Sequence, residues 1–261
     1  MRHDLQHGIF VREAGAEAGP RTVVWIHGLG ESGLNFEGVL ARPELAGWRH
    51  VAYDLPGYGR TAWPASVLDL GGGAELVADL AAERAAGGPV VVAGHSMGGV
   101  MALLLAERFP SLVRAVVDID GNTSADDCTF SGQAADQDLA DFVAGGFDAL
   151  RDRVYRTGVD EPAQRGYHAS LRLAHPASYH RHSQELVAMS AAGDLAGRRA
   201  ALPCPTVYIA GAPGGVSAES RRLLAQARVP VEEIAPSGHW PFIDQPDAFT
   251  ATLARFLDEV G

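Results

Sequence analysis

Along most of the chain, short apolar runs alternate with longer stretches in which apolar residues recur every three or four positions. "RTVVWIHG" (21–28) and "PVVVAG" (89–94) are continuous apolar runs, the pattern of strands covered on both faces. "GIFVREAG" (8–15), "RHVAYDLPGYGRT" (49–61), "LVRAVVDID" (112–120), "PTVYIAGAP" (205–213) and "VPVEEIA" (229–235) read as further strands, the second leaving into a Pro/Gly loop. Between them lie helical patterns. In "GAELVADLAAERAAGG" (73–88), Leu76, Val77, Leu80 and Ala81 form one face and Glu75, Asp79 and Glu83 another, with a stop at Gly87-Gly88. "GGVMALLLAERF" (98–109) is apolar nearly all round and predicts a buried helix. The last helix, "QPDAFTATLARFLDEV", spaces Phe249, Leu253, Phe256 and Leu257 along one stripe and has Pro246 near its start.

The alternation fails between about 122 and 200. That stretch holds helical patterns such as "DLADFVAGGFDALRDRVY" and "HRHSQELVAMSAAG" but no convincing strand. At roughly 75 residues it is too long for an ordinary loop. The expected architecture is therefore α/β: a doubly wound, mostly parallel sheet with helices on both faces, interrupted by a helical insertion. The expected division is a core from 1–121 and 200–261 with an inserted unit at 122–199.

Composition narrows the function. The 261 residues suffice for one large domain. The formal charge of −11, with arginine as the one strongly basic residue type, argues against a nucleic-acid partner, since no basic face is evident to neutralise phosphates. Cys128 and Cys204 match no metal spacing; a disulfide between them is one reading, and two free thiols the favoured one. The opening "MRHDLQHGIFVREAG" has no apolar leader segment, and no apolar run is long enough to span a bilayer. A cytoplasmic protein without membrane attachment is the expectation, and Asn122-Thr123-Ser124 is then an idle glycosylation pattern.

Candidate chemistry begins in "VVVAGHSMGGVMALLLAERFP" (90–110). Gly94-His95-Ser96-Met97-Gly98 is G-x-S-x-G between a strand and a helix, where a sharp turn lifts a nucleophilic hydroxyl out of the sheet and small neighbours permit the bend. Such a hydroxyl needs a base. Among ten histidines, His239 in "SGHWPFIDQP" stands in a turn after the last strand and before the last helix. That places it at the C-terminal edge of the sheet, where ligands bind.

With "HGLGES" (27–32), "DLPGYGRT" (54–61), "GHSMGG" (94–99) and "GHWPFIDQP" (238–246) in this order and spacing, the chain resembles the α/β-hydrolase fold superfamily over essentially its whole length. The resemblance implies an eight-stranded type of sheet, a helical cap after strand 6 and a serine triad. Its acid commonly follows the strand at 205–211, but "AGAPGGVSAES" has none before Glu219. The alternative place is the end of the preceding strand, "VVDIDGN". Asp118 and Asp120 are two apart and so share a face of that strand. Asp120, nearer the edge, is the expected triad acid, and Asp118 the alternative or a structural carboxylate bonded to nearby backbone. The implied oxyanion hole is the backbone N–H of Met97 and that of Leu29.

Other signals carry less. His27 reads as a structural residue of its loop; Glu31 could face the pocket, but a solvated loop carboxylate is the favoured reading. His175, His180 and His182 lack flanking carboxylates or thiols, so a polar cap surface is favoured over a metal site. "GGGAE" (71–75) reads as a loop at a helix start. Phe130, Phe142, Phe147, Tyr155, Tyr167 and Tyr179 are cap aromatics that sequence alone does not sort between core and pocket. The resulting expectation is a hydrolase without metal or organic cofactor, acting on a small, largely apolar ester, lactone or thioester through an acyl-enzyme. The same triad could serve acyl transfer, cyclisation or C–C bond hydrolysis. A non-catalytic ligand receptor retaining the fold is the reading from another class. Oligomeric state is not legible.

Overall fold

Eight strands form one mixed sheet in the computed structural model, which describes residues 1–16, 21–85 and 87–261. They are β1 (Arg2–Gln6), β2 (Ile9–Gly15), β3 (Thr22–Ile26), β4 (Arg49–Tyr53), β5 (Val90–His95), β6 (Val113–Ile119), β7 (Thr206–Gly214) and β8 (Val231–Gly238). The spatial order is β1-β2-β4-β3-β5-β6-β7-β8. From β4 to β8 every pairing is parallel, while β2 pairs antiparallel with β4 and with β1. Helices cover both faces.

Burial explains the strand sequences. Every residue of β3 and β5 is buried, which is why both read as unbroken apolar runs. β1, "RHDLQ", is exposed at its first four positions and carries no apolar alternation, so the sequence pattern does not announce it. The helix Leu70–Arg84 starts earlier than its apolar period suggests. Asp69 accepts a hydrogen bond from the Gly72 amide and caps it, so Gly71–Gly73 lie in the first helical turn rather than in a preceding loop. The predicted stop at Gly87-Gly88 falls past the observed end at Arg84. The helices Met97–Arg108 and Pro246–Val260 take the buried faces that their patterns predict.

Between β6 and β7 the described residues form helices only, the longest being Phe147–Thr157, Pro162–Leu171 and Pro176–Ala191. Phe142, Phe147, Tyr167, Tyr179 and Leu186 of this segment are buried in the same apolar cluster as the sheet. Tyr155 stands 56% exposed. His180 and His182, expected on a polar surface, are buried. His180 Nε2 donates to the Gln137 carbonyl (2.7 Å), and His182 is held between the Tyr58 hydroxyl (2.7 Å) and the Leu68 carbonyl (2.9 Å). His182 thus ties this segment to the loops that bear Tyr58 and Leu68, whereas His180 bonds within the segment, to a carbonyl just past the helix Thr129–Ala135. Among the described residues no cluster of His, Cys, Asp or Glu has metal-binding geometry, and both cysteines are free. No helix of the described residues is long and apolar enough to cross a membrane.

Candidate active site

β5 ends in a turn that the backbone does not adopt willingly. Ser96 has φ 53° and ψ −116°, a region costly for a residue with a Cβ. The turn closes because Gly94 and Gly98 have no side chains: a Cβ on Gly94 would collide with the Gly98 carbonyl, and one on Gly98 with that of Ile26 in β3. The Ser96 amide donates to the Ile119 carbonyl of β6 (2.9 Å), which fixes the bend against the neighbouring strand. Ser96 remains half-buried and lines a cavity of about 740 Å³.

His239 and Asp120 border the same cavity. His239 directly follows β8, and its side chain is 29% exposed. Its Nδ1 lies 3.4 Å from Asp120 Oδ2. That oxygen is buried and accepts no hydrogen bond, while Asp120 Oδ1 accepts one from the Gly211 amide (3.1 Å). The carboxylate thus keeps one unsatisfied oxygen directed at the imidazole. At 3.4 Å the pair is looser than a formed hydrogen bond. Asp120 sits one residue past β6 with φ 46°, so the shared strand face expected for Asp118 and Asp120 does not arise. Asp118 faces elsewhere: Oδ1 accepts from the Gly121 amide (2.9 Å) and Oδ2 from Arg199 Nε (2.5 Å), both carboxylate and guanidinium being fully buried. It matches the structural alternative.

Where the sequence lacks an acid after β7, the structure shows what occupies the space. Gly215 lies so close to Asp120 that any side chain there would meet the carboxylate. The backbone of 211–215 wraps the acid instead of supplying one.

The two expected oxyanion donors are placed differently. Leu29 lines the cavity, and Met97 has its side chain in the core with its amide at the first position of the helix Met97–Arg108. Among the described residues no hydrogen bond satisfies either amide. A helix leaves its first N–H groups free by construction, and the dipole there favours negative charge.

His27 behaves as a loop residue. Its Nδ1 donates to the Gly28 carbonyl (2.8 Å) and its Nε2 accepts from the Leu55 amide (3.1 Å). Glu31 corrects the expectation of a solvated carboxylate, being only 2% exposed. Oε2 accepts from the Gly28 amide (2.9 Å) and from His95 Nδ1 (3.0 Å), and Oε1 accepts from Trp240 Nε1 (2.5 Å). Burial is the strongest single influence and opposes its charge, but the His95 imidazole, the Trp240 indole and the Gly28 amide together more than offset it and hold the carboxyl at about 2. His95 in turn donates from Nε2 to the His239 carbonyl (2.7 Å). Burial works against an imidazolium there, yet the Glu31 carboxylate keeps His95 above its ordinary value. Nothing in a one-dimensional pattern pairs positions 31, 95 and 240. The one available hint is a histidine inside the elbow motif, a place with no room for a solvated ring.

Helices between β6 and β7 contribute residues to the cavity wall. Phe130 and Tyr167 line the cavity, with Leu186 beside them, whereas Phe142, Phe147 and Tyr179 are core. The Tyr167 and Tyr179 hydroxyls are 3.1 Å apart, and both rings press on Gly30 of the loop that bears Leu29.

The sequence model of the alpha/beta hydrolase family matches residues 23–252. Among curated proteins, one from rice (Oryza sativa subsp. indica) named "Probable esterase PIR7A" is 36% identical over 104 residues; the chain covers 39% of that relative's length, and the match takes in 39% of this chain. The pimeloyl-acyl-carrier-protein methyl ester esterase of Proteus mirabilis (strain HI4320) is 27% identical over 253 residues, 91% of this chain and 92% of that protein. Among solved structures, a thermophilic esterase from Thermogutta terrifontis shares the fold with a TM-score of 0.77 at 20% identity, over 97% of this chain and 93% of that one. One family thus spans the molecule from its first parallel strand into its last helix, and the chain belongs to the alpha/beta hydrolase family.

Proposed function

We propose that the protein is a serine hydrolase of small, uncharged, largely apolar carboxylic esters, lactones or thioesters. The observation that carries this reading is the convergence of Ser96, His239 and Asp120 on one cavity at the C-terminal edge of the parallel strands. In the proposed reaction, His239 takes the Ser96 proton as the hydroxyl oxygen attacks the carbonyl carbon. The oxyanion forms against the Leu29 and Met97 amides, each such donor contributing on the order of 3 kcal/mol to the barrier. His239 then passes the proton to the leaving oxygen or sulfur, leaving an acyl-enzyme. A water that gives its proton to His239 attacks the acyl carbon and releases the acid. Asp120 orients the imidazole and balances its transient charge. Ester chemistry is also what the names of the rice and Proteus relatives state for those proteins.

The size of the cavity supports a small substrate, since about 740 Å³ suits a drug-sized molecule. Leu29, Phe130, Ala163, Tyr167, Leu186 and Trp240 supply its apolar wall. The test is a fluorophosphonate label together with a p-nitrophenyl acyl ester series. Labelling at Ser96 is expected, with turnover that disappears in Ser96→Ala. Absence of both label and turnover across all chain lengths would favour a ligand receptor. Product analysis with added alcohol separates hydrolysis from transfer.

A further inference from the structure

Four fully or nearly fully buried histidines have both ring nitrogens in hydrogen bonds, and three of them face one donor and one acceptor. His27 accepts from the Leu55 amide and donates to the Gly28 carbonyl. His50 accepts from Trp25 Nε1 and donates to the Leu45 carbonyl. His182 accepts from the Tyr58 hydroxyl and donates to the Leu68 carbonyl. Each arrangement fits a neutral ring. His95 differs, because Nδ1 faces the Glu31 carboxylate and Nε2 faces the His239 carbonyl, and neither partner has a proton to give when Glu31 is ionised. Glu31 already accepts from the Gly28 amide and the Trp240 indole, as an ionised carboxylate does. Both nitrogens of His95 must then carry protons.

The pair borders the site and bonds to each of the segments that carry it. Gly28 and Glu31 belong to the loop that presents the Leu29 amide. His95 immediately precedes Ser96. The His239 carbonyl and the Trp240 indole belong to the loop that carries the base, and the His95 and His239 rings are 4.7 Å apart. These segments leave the ends of three different strands. A buried ion pair is no better for stability than well-packed apolar side chains of the same volume, so stability alone does not explain its presence. Its location does.

We propose that Glu31 and a cationic His95 are the positioning pair of this site, the imidazolium holding the His239 main chain and the carboxylate holding the oxyanion loop around the Ser96 turn. The kinetic part of this inference rests on the proposed serine-hydrolase reading; the proton count on His95 does not. His95 does not line the cavity, and Glu31, which borders it, has both oxygens committed to Gly28, His95 and Trp240, so each acts through the groups it holds. Together they set the distance between nucleophile, base and oxyanion donors, where a displacement of about 1 Å costs on the order of 100-fold in rate.

Two measurements test this. Ring nitrogen NMR of the uniformly labelled, intact chain at pH 7, with His95 assigned by its absence in His95→Gln, is expected to show protons on both His95 nitrogens. His27, His50 and His182 serve as singly protonated references in the same spectrum. A single proton on His95 would overturn the proposal whether or not any ester is turned over. In the second measurement, Glu31→Gln and His95→Gln are each expected to lower kcat by about 100-fold with KM within about threefold. The double variant should fall no further than either single one, since each already breaks the pair. Folded single variants with kcat within about twofold of the native chain, or losses that multiply in the double variant, would also overturn it. Where a variant fails to fold, the proton count on the native ring decides. Loss of turnover in Ser96→Ala tests the serine-hydrolase reading separately.

Discussion

At the scale of single residues, the two aspartates near the end of β6 show how one carboxylate becomes structural and another available. Asp118 has both oxygens occupied, by Arg199 and by the Gly121 amide, whereas Asp120 keeps a buried oxygen free for His239. Asp120→Asn is therefore expected to lower kcat by up to about four orders of magnitude, because the amide no longer fixes the imidazole tautomer, while Asp118→Asn should change kcat far less and act on stability. Steady-state kinetics of the two variants check the ranking, and the reverse order would remove Asp120 from the proposed triad. The Glu31–His95 pair makes a different prediction, in the pH dependence of folding. Glu31 stays ionised down to about 2 against an ordinary 4.5, so its contribution is present above pH 4.5 and is lost as the pH falls from there through 2. His95 is shifted upward from 6.5, with Asp120 adding to the pull of Glu31, so its contribution is full below pH 6.5 and is lost as pH rises through the folded value. The pair thus contributes most between pH 4.5 and 6.5. Urea titrations of the native chain and of Glu31→Gln/His95→Gln should show the widest stability gap in that window and a narrower one on either side.

Among elements, one arginine links the two ends of the segment between β6 and β7. Arg199, in the short helix Leu195–Ala200 at the end of the insert, donates to Asp118 beside the start of the insert, to Thr123 Oγ1 (3.2 Å) and to the Asn122 carbonyl (2.8 Å). It therefore ties the two ends of the insert to each other and to β6. Arg199→Met leaves Asp118 charged, buried and unpaired, and is expected to cost about 3–5 kcal/mol. Thermal or urea unfolding measures that loss, and a change under 1 kcal/mol would mean that the carboxylate finds another partner. Neither this link nor the Glu31–His95 pair is legible in the sequence, for the same physical reason. Periodicity reports which face of an element is buried, and a run such as "VVVAG" is buried wherever it folds. It says nothing of which polar residues meet across elements that are 64 positions apart, as Glu31 and His95 are. Ser96 and His239 were legible because each sits at the end of a strand that the pattern marks clearly, with small or turn-forming neighbours. Asp120 was legible in part: its position at the strand edge could be read, but its departure from strand alternation follows from a left-handed backbone that no pattern encodes. β1 escaped notice because an exposed edge strand needs no apolar face.

For the molecule as a whole, charge rather than shape separates the esters it should accept. The chain carries a formal −11, and the cavity lining includes Glu31, Asp120, Asp126, Asp127, Glu161 and Asp244 but no arginine among the described residues. Four of these acids are engaged. Glu31 and Asp120 face histidines, Asp127 accepts from the Thr123, Ser124 and Ser217 amides and the Ser220 hydroxyl, and Asp244 accepts from the Gly238 amide and the Ser237 hydroxyl. Asp126 and Glu161 are exposed at the rim and make no ion pair among the described residues. A substrate that carries its own carboxylate must pass both without a cation to receive it, and a field of one sign alters encounter by about tenfold or more. The neutral p-nitrophenyl butyrate is therefore expected to exceed its anionic hemisuccinate counterpart in kcat/KM by at least about tenfold at low salt. Raising the ionic strength to about 0.5 M should shrink that ratio, because the rim charges are solvated and screened. Asp126→Asn/Glu161→Gln should shrink it as well, by raising kcat/KM for the anion while leaving the neutral ester unchanged. Equal kcat/KM for the two esters at low salt would mean that the rim field does not reach the path of entry, and selection would then have to come from the apolar wall formed by Phe130, Tyr167 and Leu186.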